Sequence, residues 1–224
     1  MRIILYTVGV LSLLIAILIF THDGLRSAIY VYDEMRPFLT QYASPFCISR
    51  LKERGVQFTK VPNQRNGQCR IFNAVKVRNF GETSLKTPVI MTCGLALNLS
   101  EWIDDVNQLS LQHSGSAVEM ISHAGAYNCR KQRSSRVMSE HGYANGIDVT
   151  GFNVGGRLYS VKDHWNSSRG KRFLRGVFSS ACWKFGLALG PESDLRHQDH
   201  FHLDNGNYFG ISKARCIFNK IWDK

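Results

Sequence analysis

Between Ala96 and Gln112, the apolar residues Leu97, Leu99, Trp102, Ile103, Val106 and Leu109 recur at the spacing of a helix with one buried side. Asn98 or Ser100 is placed to cap its start. Phe173, Leu174, Val177, Phe178, Cys182 and Phe185 repeat the pattern and predict a second helix over Phe173–Phe185. Ala117–Cys129 alternates loosely and reads as a strand broken at Gly125. Gly146–Val154 and Arg157–Val161 flank Gly155-Gly156, a hairpin signal. His200–Asp204 makes a short last strand, and Val56–Val75 is loop-rich around Pro62 to Gly67 with strands on either side. Strands at the centre, helices outside and no βαβ alternation calling for a parallel sheet define an α+β domain.

The amino end follows a different pattern. Ile3 to Phe20 is uncharged and follows a lone Arg2. As a helix it would extend ~27 Å, close to the hydrocarbon thickness of a bilayer. A cleaved signal peptide has a shorter apolar region ending in small residues, whereas this one ends Leu18-Ile19-Phe20-Thr21-His22. The reading is therefore one uncleaved transmembrane helix over residues 1–22, a stalk over 23–44 and a domain over 45–224. Arg2 keeps the amino end cytoplasmic and the domain is exported.

Composition narrows the choice further. Hydrophobic residues make up 44% and charged residues 20%, which excludes disorder as the main state. No internal repeat is found, so solenoid architectures are excluded. The net charge of +11 favours an anionic partner: nucleic acid, acidic lipid or a polyanionic wall polymer. Cys47, Cys69, Cys93, Cys129, Cys182 and Cys216 all follow the apolar segment without a C-x-x-C pair. Three disulfides in an oxidising compartment fit them better than a zinc ribbon, and one expected pair is Cys129 with Cys182.

Chemistry-bearing residues concentrate in Ser139–Asp148 and His197–His202. Imidazole nitrogen and carboxylate oxygen suit zinc, and a catalytic zinc takes three protein ligands. His141 and Asp148 stand seven residues apart across a glycine-bearing turn, leaving one ligand to find. On a strand, His200 and His202 share one face while Asp199 and Phe201 take the other. One imidazole can then bind metal while its neighbour serves beside it, and spacing alone does not say which. A His-x-His pair is commonly an ordinary exposed pair; three of eight histidines within six residues weigh against that here. Glu140 and Asp204 read as structural partners that orient a ligand imidazole. The basic runs Arg130–Arg136 and Arg169–Arg175 are either solvated faces or attract anionic groups. Trp165 either lines a groove or fills the core.

The strings S-E-H-x-x-x-N-G-I-D-V-x-G-F, A-C-W-K-F-G-x-x-L-G-P and H-x-D-H-F-H-L-D resemble the bacterial extensin-like carboxy-terminal domain family. The likeness runs over roughly residues 45–218 and includes Trp102, the G-A-Y-N-C-R run and Cys216. That domain is similar to the zinc D-Ala-D-Ala carboxypeptidases and murein endopeptidases, whose fold is shared with lysostaphin-type enzymes and the hedgehog signalling domain. The resemblance implies a small central antiparallel sheet flanked by helices. It implies one zinc ion held by His141, Asp148 and His202, with His200 as catalytic base and His197 as a further active-site histidine. Asp199 occupies the position where the carboxypeptidase branch has its glutamate. Ser139 and Arg130 match substrate-holding positions, the arginine facing the developing oxyanion.

The implied activity is hydrolysis of peptidoglycan peptide cross-links by a zinc endopeptidase, of D,D or L,D type, anchored in the bacterial inner membrane and facing the periplasm. Such enzymes serve wall remodelling or open gaps for envelope-spanning secretion machines, and no nucleic-acid partner is expected. The alternatives are a carboxypeptidase or a zinc-containing wall-binding module without turnover. A metal-dependent nuclease would suit the charge but leaves the Ser139-to-Asp148 spacing unexplained.

Overall fold

The computed structural model describes residues 12, 15, 46–133, 136–206 and 215–216. The expected anchor and stalk lie outside these residues, apart from Ser12 and Ile15. Among the described residues no helix is long and apolar enough to cross a membrane.

The described part opens with a short helix α1 (Cys47–Glu53) and strand β1 (Val56–Val61). A separate hairpin follows, β2 (Gln64–Asn66) and β3 (Cys69–Ile71), and then β4 (Ala74–Phe80) and β5 (Thr83–Thr92). The long helix α2 (Cys93–Ser114) leads to β6 (Val118–Gly125). After an irregular stretch come β7 (Gly146–Val154), β8 (Arg157–Ser160), the one-turn helix α3 (Val161–His164) and α4 (Lys171–Ala181). Three short strands close the described part: β9 (Leu187–Leu189), β10 (Phe201–Asp204) and β11 (Arg215–Cys216).

Among the described residues nine strands form one sheet, in the order β1-β4-β5-β6-β7-β10-β9-β11 with β8 also paired to β7. The α+β class stands, but the sheet is large and mixed rather than small and antiparallel. β5 and β6 run parallel because α2 is the crossover between them, and β9 pairs parallel with β11. The alternation of β5 is interrupted by the exposed run Lys86-Thr87-Pro88, so this βαβ unit has a weak signature in the sequence. The supposedly loop-rich stretch Val56–Val75 itself contains β1, the β2–β3 hairpin and the start of β4.

The two main helices lie where their spacing placed them, with shifted ends. Thr92 caps α2, its hydroxyl accepting from Leu95 N–H at 3.2 Å. Asn98 and Ser100 fall inside the helix instead: Asn98 donates to Lys184 O and Asn205 Oδ1, and Ser100 donates to Leu97 O. Helix α4 stops at Ala181, and Phe185 reaches the core from the turn beyond, 5.8 Å from Trp102 between ring centres. Trp102, Phe152, Phe173, Phe178, Phe201 and their aliphatic neighbours fill the space between helices and sheet. The β7–β8 hairpin turns at Gly155-Gly156, both at positive φ, as the sequence pattern indicated.

Three disulfides close the described part: Cys47–Cys93, Cys69–Cys129 and Cys182–Cys216. The expected Cys129–Cys182 pair is therefore wrong. Cys129 follows the end of β6, beneath the folded-over β2–β3 hairpin, so Cys69 is its neighbour. Cys182 follows α4 and meets the terminal strand β11.

Strand β7 carries the detail that places the site. In its second half Phe152 and Val154 enter the core, and in its first half Ile147 and Val149 do. The parity changes because Ser122 pairs with Gly151 while His123 pairs with Val149, leaving Thr150 as an extra residue. Such a bulge turns every later or earlier side chain to the other face. Without it Asp148 would share the core side with Phe152; with it Asp148 faces away from the helices.

Candidate metal centre

His141 sits on a 3-10 turn, Glu140–Tyr143, that the sequence closes at both ends. Ser139 caps it by accepting from His141 N–H at 3.3 Å, and Ala144 leaves it in the left-handed conformation at φ +54°. Asn145 then fixes the turn to the fold. Its amide donates to Glu140 Oε2 at 2.7 Å, and its Oδ1 accepts from the Thr92 hydroxyl at 2.9 Å. Three residues on, Asp148 projects from β7, where His202 of β10 is its register partner. Gly146 makes this close approach possible: a Cβ there would stand 3.1 Å from Asp204 Cβ and 3.4 Å from His202 Cε1.

The three side chains converge. His141 Nε2 lies 3.2 Å from Asp148 Oδ1 and 3.1 Å from His202 Nδ1, and His202 Nδ1 lies 3.0 Å from Asp148 Oδ1. These are the only three His, Cys, Asp or Glu side chains among the described residues grouped closely enough to hold a metal ion. Donors on a four-coordinate zinc, with bonds of ~2.0–2.2 Å, stand roughly 3.3 Å apart, so the triangle fits such an ion.

The outer partners strengthen the fit. His141 Nδ1 is 3.1 Å from the Ala126 carbonyl, so that nitrogen carries hydrogen and Nε2 turns its lone pair inward. His202 Nε2 is 2.8 Å from Asp204 Oδ2, which by the same logic turns the Nδ1 lone pair inward. Two imidazole lone pairs and a carboxylate oxygen thus face one another, an arrangement that repels unless a cation or a proton lies between them. Carbonyl and carboxylate partners on the far nitrogen are the usual setting of metal-binding histidines.

The electrostatics follow from this geometry. Burial pushes the Asp148 carboxyl upward, but hydrogen bonds from His141 and His202 outweigh it and hold the group far below the usual carboxylate range. Burial pushes His202 downward, yet Asp148 and Asp204 outweigh that and raise it to about 10. Without metal, the protonated His202 ring donates Nδ1–H to Asp148 and Nε2–H to Asp204.

The remaining expected residues are distributed unevenly around this triangle. His200 Nε2 approaches Asp148 Oδ1 at 3.6 Å, and His200 Nδ1 is 2.7 Å from Asp199 Oδ1. Asp199 is therefore on the outer nitrogen of His200, with its side chain 62% exposed. Its hydrogen bond with His200 holds its carboxyl below the ordinary range. His197 packs at a tilt beside both neighbours, with ring centres 5.2 Å from His200 and 5.8 Å from His202. Burial lowers the His197 imidazole against the pull of Asp194, 2.8 Å away.

Ser139 is buried against the turn it caps. The Arg130 guanidinium is exposed and donates to Lys131 O at 3.4 Å, while the Arg130 carbonyl accepts from Ser139 N–H. The structure thus brings the Arg130 backbone, rather than its charge, to the turn that carries His141. Thr92, Asn145 and the Ala126 carbonyl support the site and were not singled out from the sequence. Asn145-Gly146 reads only as a turn dipeptide, and a backbone carbonyl has no residue signature.

The fold and this cluster define a disulfide-closed α+β domain with a candidate two-imidazole, one-carboxylate metal centre on the sheet face opposite its helices. The chain belongs to the family described as Extensin-like protein C-terminus, whose model matches residues 45–216. No curated protein and no solved structure matches the chain significantly.

Proposed function

We propose that this protein is a zinc-dependent peptidase acting on the peptide cross-links of peptidoglycan, an endopeptidase held at the inner membrane by its amino-terminal segment and facing the periplasm. The observation that carries the reading is the triangle of His141 Nε2, Asp148 Oδ1 and His202 Nδ1, each imidazole oriented by an outer acceptor. A zinc ion held there supplies Lewis acidity, polarising a scissile carbonyl and acidifying water. His200 is the proton-handling residue. Asp199 holds its Nδ1–H, so Nε2 is the free base and points toward Asp148 and the centre. Nε2 takes the proton of the attacking water and delivers it to the leaving amine. Asp199 keeps the ring in that tautomer, much as the carboxylate does in a Ser-His-Asp triad.

The six half-cystines joined in three disulfides support export to an oxidising compartment. The charge of +11 favours a polyanionic substrate. Three histidines around one cleft favour endopeptidase over carboxypeptidase action, because the latter is expected to use a carboxylate base and Asp199 faces the outer side of His200.

The test is digestion of purified peptidoglycan by the full-length chain, with products separated and weighed, beside Asp148→Ala, His200→Ala and a chelator control. Release of un-cross-linked stems by wild type alone is expected. His200→Ala should keep zinc and lose turnover by about 10²–10⁴-fold. Loss of only a terminal residue would make the protein a carboxypeptidase, and an unchanged digest would make it a binding module.

A further inference from the structure

A groove of about 530 Å³ opens beside the histidine cluster, between the end of α3 and the 190–199 loop. Its volume lies within the ~300–1,000 Å³ typical of sites for small ligands, too small for a folded partner. It begins at Asp199, the residue that orients His200, and runs past Trp165, Pro191 and Leu195, with Lys162 and Arg196 on its walls.

The floor is rigid. The Trp165 ring packs edge-on against Phe178 and Phe201, with centres 5.9 and 5.7 Å away. Phe201, the first residue of β10, lies between His200 and His202 in the chain, so the floor packs against the residue next to the proton-handling histidine. The Arg175 guanidinium covers Trp165 at 4.6 Å and is bonded to Glu192 at 2.6 Å. Leu195, by contrast, is 85% exposed, an apolar side chain presented at the groove.

The charges are not balanced in their use. Both carboxylates of the lining already have partners: Glu192 accepts from Arg175, and Asp199 accepts from His200. The side chains of Lys162 and Arg196 make no ion pair or hydrogen bond among the described residues. Besides His200, Lys162 also acts on Asp199 through space, so the groove offers two cations that hydrogen bonds leave unengaged beside an apolar floor.

We infer that this groove holds a carboxylate-bearing end of the peptide substrate, with Lys162 and Arg196 receiving its free carboxylate and Trp165, Pro191 and Leu195 receiving small apolar side chains. Asp199 links the two places, because it orients His200 from the Nδ1 side and also lines the groove. The inference rests on the peptidase reading for the bound peptide being a substrate, while the binding of a carboxylate-bearing peptide does not.

The test uses the full-length chain and its Lys162→Gln, Arg196→Gln and doubly substituted variants. The substrate is a purified cross-linked stem-peptide dimer, either with free carboxylates or converted to carboxamides. In parallel, the un-cross-linked stem peptide in both forms is titrated into each protein by calorimetry. For the free acid, the double variant should raise KM about tenfold with kcat within about twofold. Carboxamide substrates should respond little to the substitutions. Hydrolysis with KM unchanged in every variant overturns the groove assignment and leaves the peptidase reading intact. No hydrolysis by wild type, together with stem-acid binding that weakens in the variants, keeps the carboxylate site and overturns the peptidase reading. Acid and carboxamide binding equally well to all four proteins overturns the site itself.

Discussion

His202 Nε2 stands 2.8 Å from a carboxylate oxygen of Asp204, and Asp204 is fully buried. The second Asp204 oxygen accepts from Gly206 N–H at 2.8 Å, so the carboxylate is fixed at both ends. Its role is to orient the ring so that Nδ1 stays directed at the centre. Asp204→Asn retains size and removes the charge. It should weaken zinc binding about 10–100-fold, the usual consequence of losing a carboxylate behind a ligand histidine. Competition against a chromophoric chelator measures this. Unchanged affinity would show that Asp204 only supports the strand.

The raised His202 proton gives metal binding a defined pH dependence. With this group at about 10, the metal-free protein carries the proton at neutral pH, and a metal ion must displace it. Affinity should therefore rise with pH, by about tenfold per unit between roughly pH 6 and 9, and level off above the His202 value. Calorimetry in two buffers of different ionisation enthalpy should report about one proton released per zinc at pH 7. Zero release would mean that the ring is neutral before metal arrives.

Gly146 tests the packing between β7 and β10. An added methyl would meet Asp204 Cβ at 3.1 Å, so one strand has to shift. Gly146→Ala should cost about 1–3 kcal/mol, as other insertions into packed interiors do, and should loosen the alignment of His202 with Asp148. Denaturant unfolding and zinc competition together separate the two effects. Weakened folding with full zinc affinity would show that the register survives the shift.

Much of this site was legible because it depends on short-range rules. The Gly155-Gly156 hairpin and the two amphipathic helices follow from periods of 3.6 and 2, whereas His200 stands one residue before β10 rather than on it. What was hidden depends on interactions distant in the chain. The bulge at Thr150 decides that Asp148 leaves the core face, yet alternation along Gly146–Val154 alone does not locate it. The partner of Cys129 is Cys69 because a hairpin folds across the turn, a relation that spacing does not encode. Strand β5 was hidden by Lys86-Thr87-Pro88, and with it the parallel pair that enlarges the sheet. Residues that act through backbone groups or through another side chain, such as Thr92 and Asn145, have no chemical signature of their own.

Asp199 and His200 make a separable pair. Asp199→Asn keeps a hydrogen-bonding side chain beside Nδ1 but allows the amide to donate instead of accept, which favours the wrong tautomer. Turnover on cross-linked stem peptides should fall well below wild type but stay above His200→Ala, with zinc content unchanged in both. Equal activity of Asp199→Asn and wild type would remove Asp199 from any role in orienting the base.

The Cys69–Cys129 disulfide connects stability to the candidate metal centre. Cys69 packs in a buried cluster with Met138 and Tyr143, directly against the turn that carries His141. Its sulfur would be 3.2 Å from a Cβ placed on Gly142, so the half-cystine is part of the cover over that turn. The bonded cysteines are 60 residues apart, and closing a loop of that length restricts the unfolded chain by about 4 kcal/mol. Replacing both with serine should lower unfolding stability by up to that amount and also weaken zinc binding, because the turn loses its cover. Cys182–Cys216, 34 residues apart, supplies the control: it closes a loop of similar entropic effect, at about 4 kcal/mol, but joins α4 to the terminal strand β11. Its double serine variant should lose comparable stability while keeping zinc affinity under conditions where it remains folded. Equal zinc loss in both variants would mean that the centre responds to overall stability rather than to the cover over His141.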